Sequence, residues 1–237
     1  MSVHDVNESS VKFYKHIVDS LKEDKPLSVV RYGDGELVCV MNLKKGLGGH
    51  NADGDAYLPE LGQAIKESIM QPIKDANFHH AFGAHCVVAG FVTELQKQRI
   101  WNAEIQFQDA FVFIHAGIDG RLQELIELLN KKHSIFVAPK YMHDININFD
   151  AIIEAPKTSA FRDAARLEKE IEEALHKSEM SIVIMPIGMS AIPLVQSLFK
   201  KHGKKHTFLD FGSPFDAYVK SDVHRSHFDK IQNKLDL

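Results

Sequence analysis

Cysteine is scarce in this 237-residue chain: Cys39 and Cys86 are too few for a disulfide framework and lack the paired spacing of a metal-binding knuckle. A reducing compartment is expected. No run approaches the roughly 18 apolar residues that a membrane helix needs. The first twenty residues, MSVHDVNESSVKFYKHIVDS, mix charges into an amphipathic pattern instead of an apolar signal core, so a cytosolic protein is expected. Positive charge is not in excess either: 28 Lys and Arg stand against 32 Asp and Glu, a formal net charge of −4. No global basic field exists to gather nucleic acid or anionic membrane. Also missing are a Walker motif, a Gly-x-Gly-x-x-Gly turn, a Gly-x-Ser-x-Gly elbow and the catalytic loop that the kinase-like letters DFG at 210–212 would require. These absences weigh against P-loop NTPases, dinucleotide-dependent oxidoreductases, covalent hydrolases and kinases.

What is present is the composition of a globular protein, 44% hydrophobic and 25% charged, read here as one domain over residues 1–237. Short apolar runs at 27–31, 110–115 (AFVFIH), 133–138, 181–186 and 206–211 read as strands, with weaker candidates at 77–82 and 151–154. They are nearly continuous in apolar residues, the pattern of strands covered on both faces. Between them, residues 9–22, 57–70, 120–132, 159–177 and 190–202 place apolar side chains at three- and four-residue steps, the pattern of helices. This alternation predicts an α/β fold with a mostly parallel sheet flanked by helices.

In such folds ligands bind outside the carboxyl ends of the strands. The chemistry-bearing residues of this chain follow its predicted strands. After the first comes Arg31-Tyr32-Gly33-Asp34-Gly35-Glu36, and His115 closes the run at 110–115. Ile187-Gly188-Met189-Ser190 follows the run at 181–186, and Asp210-Phe211-Gly212-Ser213 ends the last. Asp34 and Glu36, one glycine apart, can converge on a hard cation such as Mn²⁺ or Mg²⁺, which would neutralise a diphosphate. Arg31 can contact phosphate or clamp a carboxylate. Gly33 and Gly35 would allow a ligand to approach the backbone. An Asp-Gly pair is also an ordinary turn, and that alternative stays open here.

Gly188 and Ser190 precede a helix whose free N–H groups make a phosphate site, with Ser190 as a plain N-cap the simpler alternative. Asp216 in DFGSPFDAY is a candidate general base or sugar-hydroxyl ligand, and Asp210 a candidate to orient a ribose or a metal-bound water. His79, His80, His85 and Cys86 lie close in sequence but show no recognised zinc spacing, so a structural role is expected. His115 is the better pocket candidate, as an acid-base group or nucleobase contact. The basic cluster KKHGKKH at 200–206 suits a helix C-terminus, with an anionic acceptor surface as the alternative. The glycine-rich stretch GLGGHNADGDAYLP at 46–59 is either a lid or a surface loop.

These residues resemble a known family. VVRYGDGE is similar to the Arg-x-Gly-Asp-Gly-Glu signature of the GT-D-type glycosyltransferases. The resemblance continues through IIEAPKTSAFRD at 152–163, the Gly-x-Ser-Ala turn at 188–191 and LDFGSPFDAY near the end, although Thr158 stands where the family pattern has Asn. It implies a Rossmann-like enzyme that moves a sugar from a nucleotide-sugar donor, UDP-linked by preference, to a hydroxyl of a glycan, a protein or a modified base in DNA. Asp34 and Glu36 would then hold the metal and donor diphosphate, with Arg31 beside them. From their own places in the chain, Gly33, Gly35, His115, Gly188, Ser190 and Asp210 are expected on the donor side with Arg31, and Asp216 is expected as base. Two other readings remain: a nucleotide- or glycan-binding module without turnover, and another nucleotide-dependent transferase such as a methyltransferase.

Overall fold

The computed structural model describes residues 8–41, 49–84, 86, 89–102, 106–219 and 228–231. Within them, α1 (Glu8–Lys22) leads into β1 (Ser28–Tyr32), α2 (Asp34–Met41), α3 (Pro59–Met70) and β2 (Phe78–Phe82). Next come α4 (Phe91–Lys97), β3 (Gln108–Asp109), α5 (Val112–Ile118), α6 (Leu122–Leu129), β4 (Ser134–Pro139) and β5 (Ala151–Ala155). The chain continues through α7 (Ala164–Leu175), β6 (Ile182–Met185), α8 (Ala191–His202), β7 (Thr207–Asp210) and the short α9 (Phe228–Ile231). The sheet is seven-stranded and parallel throughout, in the order β3-β2-β1-β7-β6-β4-β5. The α/β architecture read from the sequence is the one observed.

The continuous apolar runs resolve into two faces with the two-residue period of a strand. Val30 and Tyr32 enter the core shared with α2, α3, α7 and α8, whereas Val29 enters the core shared with α1, α5 and α6. Ile135 and Val137 likewise face the first core and Phe136 and Ala138 the second. Both faces are covered, so neither needs polar residues and no alternation is visible in the sequence.

The run at 110–115 is a correction. It is not a strand: β3 stops at Asp109, whose carboxylate accepts the Phe111 N–H at 3.0 Å, and the chain turns into α5. Val112 to Gly117 are all buried, between the sheet and the short α9. A helix buried all round has no polar face, and six apolar residues cannot then be told from a strand by periodicity. The segment after β1 also differs from the loop expected there, because Asp34 begins α2 directly.

The order places β1, first in sequence, between β2 and β7. From β1 the chain builds outward to β2 and β3; the later strands fill the other side, ending with β7 against β1. The segment leaving β1 enters α2 on one face of the sheet, whereas Phe211 and Phe215 after β7 pack on the other. The crevice between them is the position where open α/β sheets take ligands.

Candidate functional site

A cavity of about 360 Å³ opens at this crevice. Its walls come from segments after β1, β3, β4, β5, β6 and β7, so nearly every strand delivers a residue to it. Arg31, Gly33, Asp34, Gly35, Glu36, Gly188 and Asp216 all line it, scattered in sequence but brought together by the sheet. Asp210, His115 and Ser190 do not line it.

Asp210 stands directly behind Arg31. Nε and Nη2 of Arg31 donate to its Oδ1 at 3.2 and 3.0 Å, and the Arg31 backbone N–H donates to Oδ2 at 3.0 Å. Nε also reaches the Asp210 carbonyl at 2.9 Å, and Nη1 the Ala110 carbonyl at 3.1 Å. The side chains are 16% and 3% exposed, so this is a buried, multiply hydrogen-bonded ion pair joining β1 to β7. Burial still holds the Asp210 carboxyl above its ordinary range, with Arg31 offsetting part of that. The next turn passes so close that a Cβ at Gly212, where φ is +72°, would lie 2.2 Å from Arg31 Nη2. Only glycine fits there. Arg31 thus clamps a carboxylate, one of the two roles open to it, and the hydrogen bonds named leave two of its five N–H groups for the cavity side.

Asp34 and Glu36 occupy the first turn of α2. Glu36 reaches back to accept the Gly33 N–H at 2.9 Å, the glutamate half of a capping box. Burial first, and the Asp210 charge second, push the Glu36 carboxyl up to about 7 against the pull of Arg31 and the Gly33 N–H. Asp34 is exposed into the cavity mouth. Among the described residues no three His, Cys, Asp or Glu gather into a ready-made metal cage. The two carboxylates on this first turn both border the cavity, Asp34 exposed and Glu36 tied back to the Gly33 N–H.

On the opposite wall, the 3₁₀ turn Gly188–Ser190 leads into α8. Gly188 has φ +59°, and a Cβ there would lie 2.3 Å from Asp55 Oδ2. Ser190 is 3% exposed and makes no cap bond; its hydroxyl is buried without a hydrogen-bond partner. It is neither the side-chain N-cap nor a cavity residue, because the 3₁₀ turn carries it inward. His115, expected at a strand end, sits on α5 at 1% exposure. Its Nδ1 lies 2.9 Å from both Ser10 Oγ and Asp109 Oδ2. Both contacts fall on one nitrogen, which is a structural tie between α1 and β3 and not a proton relay. Although burial would raise the Asp109 carboxyl, His115 and the Phe111 N–H hold it below its usual value.

Several cavity residues were not singled out in the sequence. Asp55, 5% exposed, accepts the Ser159 N–H at 2.7 Å through Oδ1, while the Ala56 N–H donates to Ser159 Oγ at 3.2 Å. Asn51 Oδ1 accepts the N–H groups of Asp53 and Asp55 at 3.0 and 2.8 Å. The stretch expected as lid or surface loop contributes Asn51, Asp53, Asp55 and Tyr57 to the cavity wall and is hydrogen-bonded to the turn after β5; residues 46–48 lie outside the described residues. Burial raises the Asp55 carboxyl, with the Ser159 N–H opposing. Tyr141, after β4, donates its hydroxyl to Asp216 Oδ1 at 3.1 Å, and Lys157 Nζ stands 5.9 Å from the Tyr141 ring centre. The basic cluster at 200–206 ends α8 and precedes β7, at the amino ends of the strands away from the cavity, with Lys201 and His202 both within 3.0 Å of Glu172. Both cysteines are buried, and desolvation pushes each thiol up to about 12, so neither is a ready nucleophile.

The fold is shared with solved structures, two of them described as glycosyltransferases. A structure described as a new glycosyltransferase (DUF1792) from Streptococcus sanguinis superposes with TM-score 0.63 at 18% identity, covering 92% of this chain and 91% of that one. A selenomethionine structure of domain of unknown function 1792 gives 0.62 at 17% identity, covering 96% and 94%. A third, described as showing that this domain has a distinct glycosyltransferase fold, gives 0.61 at 18% identity, covering 94% and 89%. At these identities the likeness establishes the fold. No family model matches the sequence, and no curated protein matches it. Among the described residues, no helix is long and apolar enough to cross a membrane.

Proposed function

We propose that this protein is a glycosyltransferase that binds a nucleotide-sugar donor in the cavity at the β1/β7 crevice and transfers the sugar to a hydroxyl acceptor. The observation that carries the reading is the convergence of Arg31, Asp34, Glu36, Gly188 and Asp216 on one cavity, in a fold shared with glycosyltransferases. Asp34 and Glu36 would hold a Mn²⁺ or Mg²⁺ ion, which supplies charge neutralisation to the donor diphosphate. Glu36, pushed up to about 7, is a carboxylate whose ionised form gains from a cation beside it.

The chain's own groups supply the rest. Arg31 keeps two N–H groups toward the cavity and is held rigidly by Asp210, so it offers positive charge to a phosphate with little reorganisation. Gly188 lets the Asp55 carboxylate pack against its backbone, and both residues border the cavity. Asp216 is the base that takes the proton of the acceptor hydroxyl as its oxygen attacks the sugar carbon and the bond to the diphosphate breaks. Tyr141 orients Asp216 by donating to Oδ1.

The test is calorimetric titration of the wild type and of Asp34→Ala/Glu36→Ala with nucleoside diphosphates and UDP-sugars, with and without Mn²⁺. Metal-dependent binding lost in the double variant is expected, together with donor turnover that Asp216→Asn abolishes while keeping the binding. A folded wild type that binds no nucleotide overturns the reading, and binding without turnover on any hydroxyl acceptor reduces the protein to a binding module.

A further inference from the structure

Far from the cavity, His16 on α1 and His79 near the amino end of β2 point their Nε2 atoms at each other, 3.3 Å apart. The rings are 5.1 Å apart between centres and inclined by 80°. Two arrangements account for such a pair. In a head-on N–H···N hydrogen bond the ring axes are collinear. Adding about 1.15 Å from each nitrogen to its ring centre then separates the centres by about 5.6 Å. If instead both lone pairs converge on one tetrahedral ion at the usual metal–nitrogen distance of about 2.05 Å, the nitrogens lie about 3.3 Å apart and the centres about 5.2 Å apart. The observed 5.1 Å between centres is close to the converging arrangement, and a bent hydrogen bond between the two nitrogens meets the same distances.

The surroundings suit a ligand pair. His16 is exposed, so an ion and its waters can reach it, while His79 is half-buried and set by the edge of the Phe13 ring at 5.4 Å. The histidines beside it in sequence do not belong to the pair. His80 points to the opposite face of the sheet, with Nδ1 3.1 Å from the Tyr32 hydroxyl and Nε2 3.3 Å from the Ile73 carbonyl. His85 lies outside the described residues. The sequence cluster His79-His80-His85-Cys86 therefore missed the partner, which lies 63 residues upstream.

We infer that His16 and His79 form a two-histidine site for a borderline transition metal of the Zn²⁺ or Ni²⁺ class, water completing the coordination, which clips α1 onto β2. Imidazole pairs favour such ions over the hard Mg²⁺ or Mn²⁺ suited to the Asp34 and Glu36 carboxylates, so the two sites differ in chemistry as well as place. The clip ties down the helix that covers β1 and β2 on one face.

The experiment is thermal unfolding of wild type, His16→Ala and His79→Gln with Zn²⁺, with Ni²⁺ and with EDTA, alongside calorimetric counting of bound Zn²⁺. His16 is exposed, so His16→Ala is expected to fold and to match the wild-type Tm in EDTA. Metal at about one hundred times Kd is expected to raise the wild-type Tm by roughly 5 °C. That rise, and one bound ion per chain, should disappear in both histidine variants and survive in Asp34→Ala/Glu36→Ala. A rise kept in full by His16→Ala, a rise lost only in the cavity variant, or no rise in a folded wild type would each overturn the inference.

Discussion

Glu36→Gln is the substitution in which the physics of the cavity is most directly readable. The carboxyl is raised from 4.5 to about 7 in the folded protein, chiefly because burial disfavours its charge and Asp210 is nearby. Between those two values the folded chain holds a proton that the unfolded chain has released. Stability attributable to Glu36 therefore falls as pH rises across this window, is constant above it, and is unaffected below it. The full elevation corresponds to about 3 kcal/mol. Because part of the side chain borders the open cavity, solvent screening reduces this to about 2 kcal/mol. Glutamine stays neutral and keeps an oxygen for the Gly33 N–H, so Glu36→Gln should raise Tm at pH 8 by about 4–8 °C and leave it unchanged near pH 4. The assay is thermal unfolding by circular dichroism in EDTA, without nucleotide, at several pH values. If the variant is no more stable than the wild type at pH 8, Glu36 is not a destabilised carboxylate and the argument fails. The same variant should bind nucleotide poorly even with Mn²⁺, which would mark a residue whose charge costs the fold and serves the ligand.

Two further outcomes are expected. Arg31→Ala leaves Asp210 buried without its counter-ion and should cost about 3–5 kcal/mol, most of it recovered by pairing Arg31→Met with Asp210→Leu; equal losses in single and double variants, measured by urea unfolding, would contradict this. Tyr141→Phe removes the hydroxyl that orients Asp216, and should lower kcat on a hydroxyl acceptor by roughly tenfold with KM for the donor nearly unchanged and the pH profile of kcat displaced; a change confined to donor KM would place Tyr141 on the donor side instead.

The strands at 28–32, 134–139, 182–185 and 207–210 were legible because strands buried on both faces leave short unbroken apolar runs bounded by polar residues. The helix α5 was illegible for the same physical reason, since complete burial erased its period. The short helices α2 and α4 were also unread, the first because Gly33 and Gly35 look like a loop although Gly33 merely precedes the first helical turn. Within the site, residues directly following strands were found from the siting rule alone. Asp55, Tyr141 and Lys157 were not, because their meeting depends on the Ser159 turn and on the turn after β4, which no local pattern encodes. Asp210 was singled out, but its pairing with Arg31 was not, since a carboxylate ending the last strand becomes an arginine's counter-ion only because β7 lies against β1.

That adjacency governs when the site can exist at all. Arg31 and its partner Asp210 are separated by 179 residues. At about 5–20 residues per second a ribosome delivers the aspartate roughly 10–40 s after the arginine. Throughout that interval the edge of β1 is unpaired and its arginine lacks a counter-charge, and no amount of folding in the amino-terminal half can supply either. β1, an interior strand of the finished sheet, is thus an edge during synthesis, and the crevice can close only once β7 has been made.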